Sequence, residues 1–186
     1  MKGLRTFWHR YRRNRGAVAG AAAMLLVVAA ALLGPVFYPV DPFDMVGRPS
    51  QPPFGRFLLG TDVAGRDILA GILNGARISL AIGLLASLGA TAVGVLFGAI
   101  AGYYGGRIDD VLMRITEFFL TIPSFVLAVV VVAIFQPSIV TVTAAIAIVS
   151  WPSVARLARG EFIAQRVREY VQGCRAIGMP DWEIIV

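Results

Sequence analysis

The sequence predicts an all-α, polytopic membrane bundle, and three observations carry that prediction. Hydrophobic residues make up 58% of the chain and charged residues only 15%, with a mean hydropathy of +0.75, too little charge to coat a soluble domain of 186 residues. Apolar runs long enough to cross a bilayer recur along the chain, separated by stretches rich in Pro, Gly and charge. Arginines gather at the ends of those runs rather than along one face. That distribution turns the net charge of +6 away from nucleic acid and toward membrane lipid. Cys174 is the only cysteine, so no intrachain disulfide or cysteine-based metal site is expected. The single histidine, His9, reads as a surface side chain in a basic segment, and no catalytic constellation or cofactor is expected.

Residues 1–15 hold Lys2, Arg5, Arg10, Arg12, Arg13 and Arg15 with Phe7, Trp8 and Tyr11 between them, the pattern of a cytoplasmic interfacial segment. Residues 16–36 follow without a charge, and 21 residues at ~1.5 Å each cross a ~30 Å hydrocarbon core. This is the first expected span. A cleavable signal peptide is the alternative, but its apolar core usually runs to only ~7–15 residues and no convincing small-x-small cleavage site precedes Pro39. From 37 to 77, Pro39, Pro42, Pro49, Pro52 and Pro53 break any long helix and predict an extramembrane loop. Within it, Gly60, Thr61, Asp62, Gly65, Arg66 and Asp67 fit a turn held by side-chain hydrogen bonds to backbone, capped before a short helix.

The second span is expected over 78–102, where Ala86, Ala90, Gly94, Gly98 and Gly102 recur every four residues. Small residues at that spacing form a flat stripe against which another helix can pack closely. A short loop, 103–110, leads to a third span over 111–135, with Arg114 and Glu117 spaced to pair on one face and Pro123 placed to bend it. The fourth, 139–154, closes on Trp151-Pro152, where a second bend is expected. With the N-terminus in the cytoplasm, thirteen of the Lys and Arg residues fall inside and four outside, the latter balanced by Asp41, Asp44, Asp62 and Asp67. The count satisfies the positive-inside rule and puts residues 156–186 in the cytoplasm.

That last stretch is the most soluble-looking part of the chain. At helical spacing Ile163, Val167, Tyr170, Val171, Cys174 and Ile177 share one face, while Arg166, Arg168, Glu169, Gln172 and Arg175 point elsewhere. Gly178 follows as a left-handed stop, and Pro180-Asp181 suits a second helix start. Such a helix-break-helix fits a surface for a water-soluble partner; an ordinary solvated loop between membrane helices fits the same spacing.

The residues from Glu169 to Gly178, with Asp181-Trp182 and Ile184-Ile185, resemble the cytoplasmic coupling loop of binding-protein-dependent ABC importer permeases. In that family a Glu-Ala-Ala triplet, often begun by Gln in peptide-type members, is followed four residues later by Gly. Gln172, Gly173 and Cys174 hold the triplet here, with Arg175 and Ala176 between it and Gly178; Gly173 and Cys174 stand where the family has Ala-Ala. The small residues suit a helix that lies in a partner's cleft. The run Leu59–Asp67, followed by Gly75-Ala76-Arg77-Ile78-Ser79-Leu80, resembles the signature of the C-type subunit of dipeptide and oligopeptide permeases.

The resemblance implies four spans of a six-span ABC permease fold in a bacterial or archaeal plasma membrane, with residues 1–77 as N-terminal region and 78–186 as transmembrane domain. It implies a second homologous permease subunit, two cytoplasmic ABC ATPase subunits and an extracytoplasmic substrate-binding protein as partners, with ATP-driven motion entering through the 165–178 helix. No Gly-x-x-x-x-Gly-Lys-Ser/Thr loop is present to bind nucleotide, so the chain is expected to move solute and not to catalyse. A secondary transporter is the alternative, but it would need ionisable side chains near span centres, and only the third expected span has any, near its end. A non-transporting membrane scaffold also remains consistent with the pattern. Because the family's loop leads on to two more spans, the resemblance further implies a C-terminally shortened subunit, expected to insert but not to support uptake. Neither the solute nor the pathway-lining residues can be read from these residues.

Overall fold

A computed structural model of the chain describes residues 11–185. The segment before Tyr11, with Lys2, Arg5, Phe7, Trp8, His9 and Arg10, and the terminal Val186 lie outside the described residues. The chain divides after Ala81 into two compact units.

In the first unit, helix α1 (Arg15–Phe37) opens where the Asn14 side chain accepts a hydrogen bond from the Ala17 amide at 3.2 Å. It is apolar all round, and Met24, Leu25 and Leu26 are each about 70% exposed, which suits a helix solvated by lipid. Gly34 lets α1 approach the start of the next helix, since a Cβ there would stand 2.5 Å from the Leu73 side chain. That helix, α2 (Ile68–Tyr104), begins ten residues before the expected position 78. The reason is Asp67, which caps it, and Asn74, which tolerates the first turns by donating to the Ala70 carbonyl at 3.0 Å. The helix after the turn is therefore long, where a short one was expected.

In the second unit the rest of α2 is followed by α3 (Gly106–Thr121), α4 (Ser124–Ile134), α5 (Ile139–Arg166), α6 (Glu169–Ala176) and α7 (Asp181–Ile185). Helices α1, α2 and α5 are long and apolar enough to cross a membrane. The expected third span is two helices, α3 and α4, which qualify together but meet at 85°. Pro123 causes the break: it has no amide to donate and holds Ile122 extended, at φ −81° and ψ 125°. Pro152, by contrast, lies within continuous α5, and that helix runs on from the expected end at 154 to Arg166. Its charged extension is held because Arg159 pairs with Asp109 of α3. Arg114 and Glu117, spaced to pair with each other, do not; among the described residues the ion pair at this end is Asp109–Arg159. The core is Ala90, Trp151 and Ala155, with Phe97 and Phe119 against them. The Trp151 ring stands 4.9 Å from Phe97 and 5.3 Å from Phe119, both within the favourable range for tilted aromatic pairs.

Candidate functional site

The small-residue stripe of α2 is where α5 packs. A Cβ at Gly94 would meet the Trp151 carbonyl at 2.8 Å and the Val154 side chain at 2.6 Å. One at Gly98 would meet the Ala155 carbonyl at 2.5 Å, and one at Gly102 the Arg159 carbonyl at 2.7 Å. Ala90 and Ala86, one and two turns before Gly94, are buried as well. Glycine at four-residue intervals thus brings two backbones together, which side chains of any size would prevent. Near the end of this contact, Arg159 donates to both carboxylate oxygens of Asp109, Nε to Oδ1 at 2.5 Å and Nη2 to Oδ2 at 2.6 Å, the fork geometry that makes such pairs directional. A cavity of about 460 Å³ lies beside the pair, lined also by Asp110, Arg114, Glu117 and Arg156.

Beyond α5 the chain breaks. Arg168 is extended, at φ −74° and ψ 147°, and α6 starts at Glu169 with its first amides on the Arg168 carbonyl. The continuous amphipathic helix expected over 165–178 is therefore an α5 terminus, a joint at Val167–Arg168 and an eight-residue helix. Of the face read from the spacing, Val171 is buried and Ile163 and Cys174 are half-buried, while Val167, Tyr170 and Ile177 are 64%, 61% and 80% exposed. Glu169, Gln172, Gly173, Arg175, Ala176 and Gly178 are exposed too. Gly178 has φ +79°, its amide donating to the Arg175 carbonyl and that of Met179 to the Cys174 carbonyl. These two bonds form a Schellman motif, which needs a left-handed residue and so favours glycine. At Gly173 the situation differs: a Cβ would meet nothing within 4 Å.

A residue the sequence did not single out, Tyr103, holds this loop. Tyr103, at the end of α2 and 5% exposed, donates from its hydroxyl to Asp181 Oδ1 of α7 at 2.5 Å. The Arg175 guanidinium lies 4.8 Å from the centre of its ring, and Arg166 Nη1 donates to its carbonyl at 3.2 Å. A cavity of about 330 Å³ under α6 is lined by Tyr103, Phe162, Arg166, Tyr170, Val171 and Ile184. Only the abundance of aromatics and arginines near 103 and 166–175 hinted at it, because pairs 63 to 78 residues apart leave no trace in local periodicity.

In the first unit, the outer-loop residues form a closed turn. Thr61, 3% exposed, accepts from the Gln51 amide at 2.9 Å and donates to the Arg48 carbonyl at 2.6 Å. Asp62 Oδ1 accepts from the Ala64 and Arg66 amides, both at 2.8 Å, and these bonds, the Arg66 amide first, hold its carboxyl below the usual carboxylate range. Asp67, 1% exposed, accepts on Oδ1 from the Leu69 and Ala70 amides and on Oδ2 from the Tyr38 hydroxyl. The bond to Asp67 pushes the Tyr38 hydroxyl above its usual range. Gly60 and Gly65 sit at φ +79° and +80°, and a Cβ on either would run into a backbone carbonyl, of Gln51 or Gly47. Arg66 is the exception to this closure: its Nε is buried without a hydrogen-bond partner, and its guanidinium carbon stands 5.9 Å from the centre of the Phe43 ring.

Residues 94–186 match the family described as binding-protein-dependent transport system inner membrane component, and residues 4–53 match the N-terminal TM domain of oligopeptide transport permease C. The chain is 38% identical over 182 residues to the dipeptide transport system permease protein of Haemophilus influenzae, covering 94% of this chain and 62% of that one. It is 40% identical over 182 residues to the di/tripeptide transport system permease protein of Pseudomonas aeruginosa, at 94% and 60% coverage. Identity to the glutathione transport system permease protein of Pectobacterium atrosepticum is 38% over 184 residues, at 97% and 61%. The chain thus spans about three fifths of the length of the relatives it matches.

Proposed function

The chain belongs to the family of binding-protein-dependent transport system inner membrane components, and from that premise we propose that it is a permease subunit of an ABC importer carrying peptides or related small solutes into the cytoplasm. The observation that supports this best is α6. A short polar helix with most of its surface exposed, closed by a Schellman stop and carrying Arg175 against the Tyr103 ring at the end of a long apolar helix, suits a part that a partner pushes. The partners in this reading are a second homologous permease subunit, two cytoplasmic ATPase subunits and an extracytoplasmic substrate-binding protein. Glu169, Tyr170, Gln172, Gly173, Cys174, Arg175 and Ala176 present the surface an ATPase cleft receives, and the exposed backbone at Gly173 allows close approach. The outer turn, from Gly60 to Asp67, faces the side from which solute arrives. It is a structural device there, since Thr61, Asp62 and one oxygen of Asp67 are spent on backbone groups of this unit.

In this mechanism ATP-driven closure of the ATPase pair displaces α6 and the spans reorient between outward and inward access. The displacement does work only if α6 docks differently in the two states, because a partner shifts a conformational equilibrium by no more than its differential affinity. The test is ATP-dependent uptake of peptides in proteoliposomes by the assembled transporter, with this chain as it stands and with it extended to the length of its relatives; uptake is expected from the extended subunit. Uptake that persists when the ATPase subunits are omitted would refute the proposal in favour of an ion-coupled carrier. Orientation is checked with a thiol reagent that cannot cross the membrane: Ser50→Cys, an exposed position, should react from outside in a Cys174→Ser background.

A further inference from the structure

Tyr103 is the point where three elements of the second unit converge. Its hydroxyl bonds to α7, its ring lies against Arg175 of α6, and its carbonyl is held by Arg166 at the end of α5. The Tyr104 ring stands edge-on at 5.1 Å. Of α6 itself only Val171 is buried; Tyr170 and Gln172 bond locally and exposed to Gln165 and to the Val167 carbonyl, so the attachment of this loop to α2 is polar and runs through Tyr103.

Two paths lead from α6 back to the long helices. One runs along the chain, through the Val167–Arg168 joint and the exposed Tyr170–Gln165 hydrogen bond that spans it, where backbone rotation can absorb a push. The other runs through Tyr103 into α2, which is locked along its glycine stripe to α5 by backbone contacts that leave no room for slip. A packed contact transmits a displacement that a flexible joint would dissipate. We infer that Tyr103 is a positioning residue for coupling: through Asp181 and Arg175 it fastens the α6–α7 loop to α2, so that movement of α6 is delivered to the bundle. This inference rests on the permease function proposed above and names the residue through which that function operates.

The test compares variants of the transporter assembled with the extended subunit, in nanodiscs for hydrogen exchange and in proteoliposomes for transport. Tyr103→Phe keeps the ring and its Arg175 contact and deletes only the bond to Asp181. Asp181→Ala deletes the same bond from an exposed position, and it carries the test if Tyr103→Phe does not assemble. Asp181→Asn keeps an acceptor oxygen. Amide hydrogen exchange over residues 169–185 is expected to quicken about fivefold in either deletion, the size of one ordinary hydrogen bond, and no further in the double variant. Asp181→Asn should stay near wild type. Solute moved per ATP hydrolysed should fall several-fold in both deletions while the ATPases still co-purify, a split that a purely structural residue would not produce. Additive effects, unchanged exchange in Tyr103→Phe, or faster exchange with an unchanged transport yield would each overturn the inference while leaving the permease function standing. A wild-type complex that neither holds ATPases nor takes up solute would overturn the permease reading, and the inference with it.

Discussion

The 60–67 turn and the 169–185 loop are both motif-bearing, glycine-punctuated and close to a long helix, yet they are built in opposite ways. In the turn, Thr61 and Asp67 are buried and their side-chain oxygens end on the chain's own atoms. In the loop, most of the motif side chains are exposed, and the fastening comes through a residue outside the motif, Tyr103, which holds Asp181. A polar residue kept for the fold is one whose loss leaves a buried group unpaired; a polar residue kept for a partner leaves the isolated fold almost untouched. The two loops can therefore be told apart by what their glycines and carboxylates cost when replaced.

The largest effect is expected at Gly65→Val. The new side chain would need φ +80° and would meet the Gly47 carbonyl, so backbone strain and overpacking together cost about 4 kcal/mol. Thermal unfolding in detergent should show this as a lowered Tm, with faster exchange of the amides that bond to the Gly65 carbonyl, Val46 and Gly47. A fully stable Gly65→Val protein would show that the turn is not closed as described. Next comes Asp67→Ala, which removes the cap of α2 and strands the Tyr38 hydroxyl, for a loss of about 2 kcal/mol. Asp67→Asn should recover part of it, because an amide oxygen still accepts from Leu69; equal losses in the two variants would mean that the cap contributes nothing.

Gly178→Val should cost less than either. Its φ of +79° strains a β-branched residue, but a Cβ there has nothing within 4 Å, so only the local term of about 1 kcal/mol applies. The expected result is normal membrane insertion and near-normal Tm with weakened ATPase association, measured by co-purification. Loss of insertion would place Gly178 in the fold rather than at the interface.

These two loops also show what a sequence can disclose. The positive-φ glycine after a helix and the capped turn are local events, encoded within four or five residues, and Gly178 and the Thr61–Asp67 run are readable for that reason. The every-fourth small residue in α2 is readable too, but its partner is not: nothing near Gly98 names Ala155, 57 positions later. Helix ends were misjudged where a tertiary bond overrides polarity. Arg159 looks like loop until Asp109 pairs with it across 50 residues, and Asn74 and Arg77 look like loop until Asp67 caps a helix in front of them. The joint at Val167–Arg168 had no Pro or Gly to announce it, and the Tyr103–Asp181 bond spans 78 residues. Local grammar was legible; long-range pairing was not.

The smallest effect on the fold, and the sharpest test of the comparison, is expected at Gly173. Unlike Gly60 and Gly65, it has no left-handed backbone to justify it, and a Cβ would find open space. Its fold-level consequence is a cost: glycine inside α6 weakens that helix by roughly 1 kcal/mol relative to alanine. Gly173→Ala should therefore slow amide exchange across α6 by several-fold and leave the rest of the chain unchanged. Gly173→Leu should be as well folded as alanine, since leucine is also a good helix former and nothing of this chain lies in its way. If the exposed backbone at 173 is where an ATPase comes close, the two variants part company only in the assembled transporter. Alanine should keep ATPase association and leucine should abolish it, with identical melting of the isolated subunit. Leucine binding the ATPases as tightly as glycine would mean that α6 is approached from another side, and the exposed face of this loop would have to be assigned again from Tyr170 and Ile177.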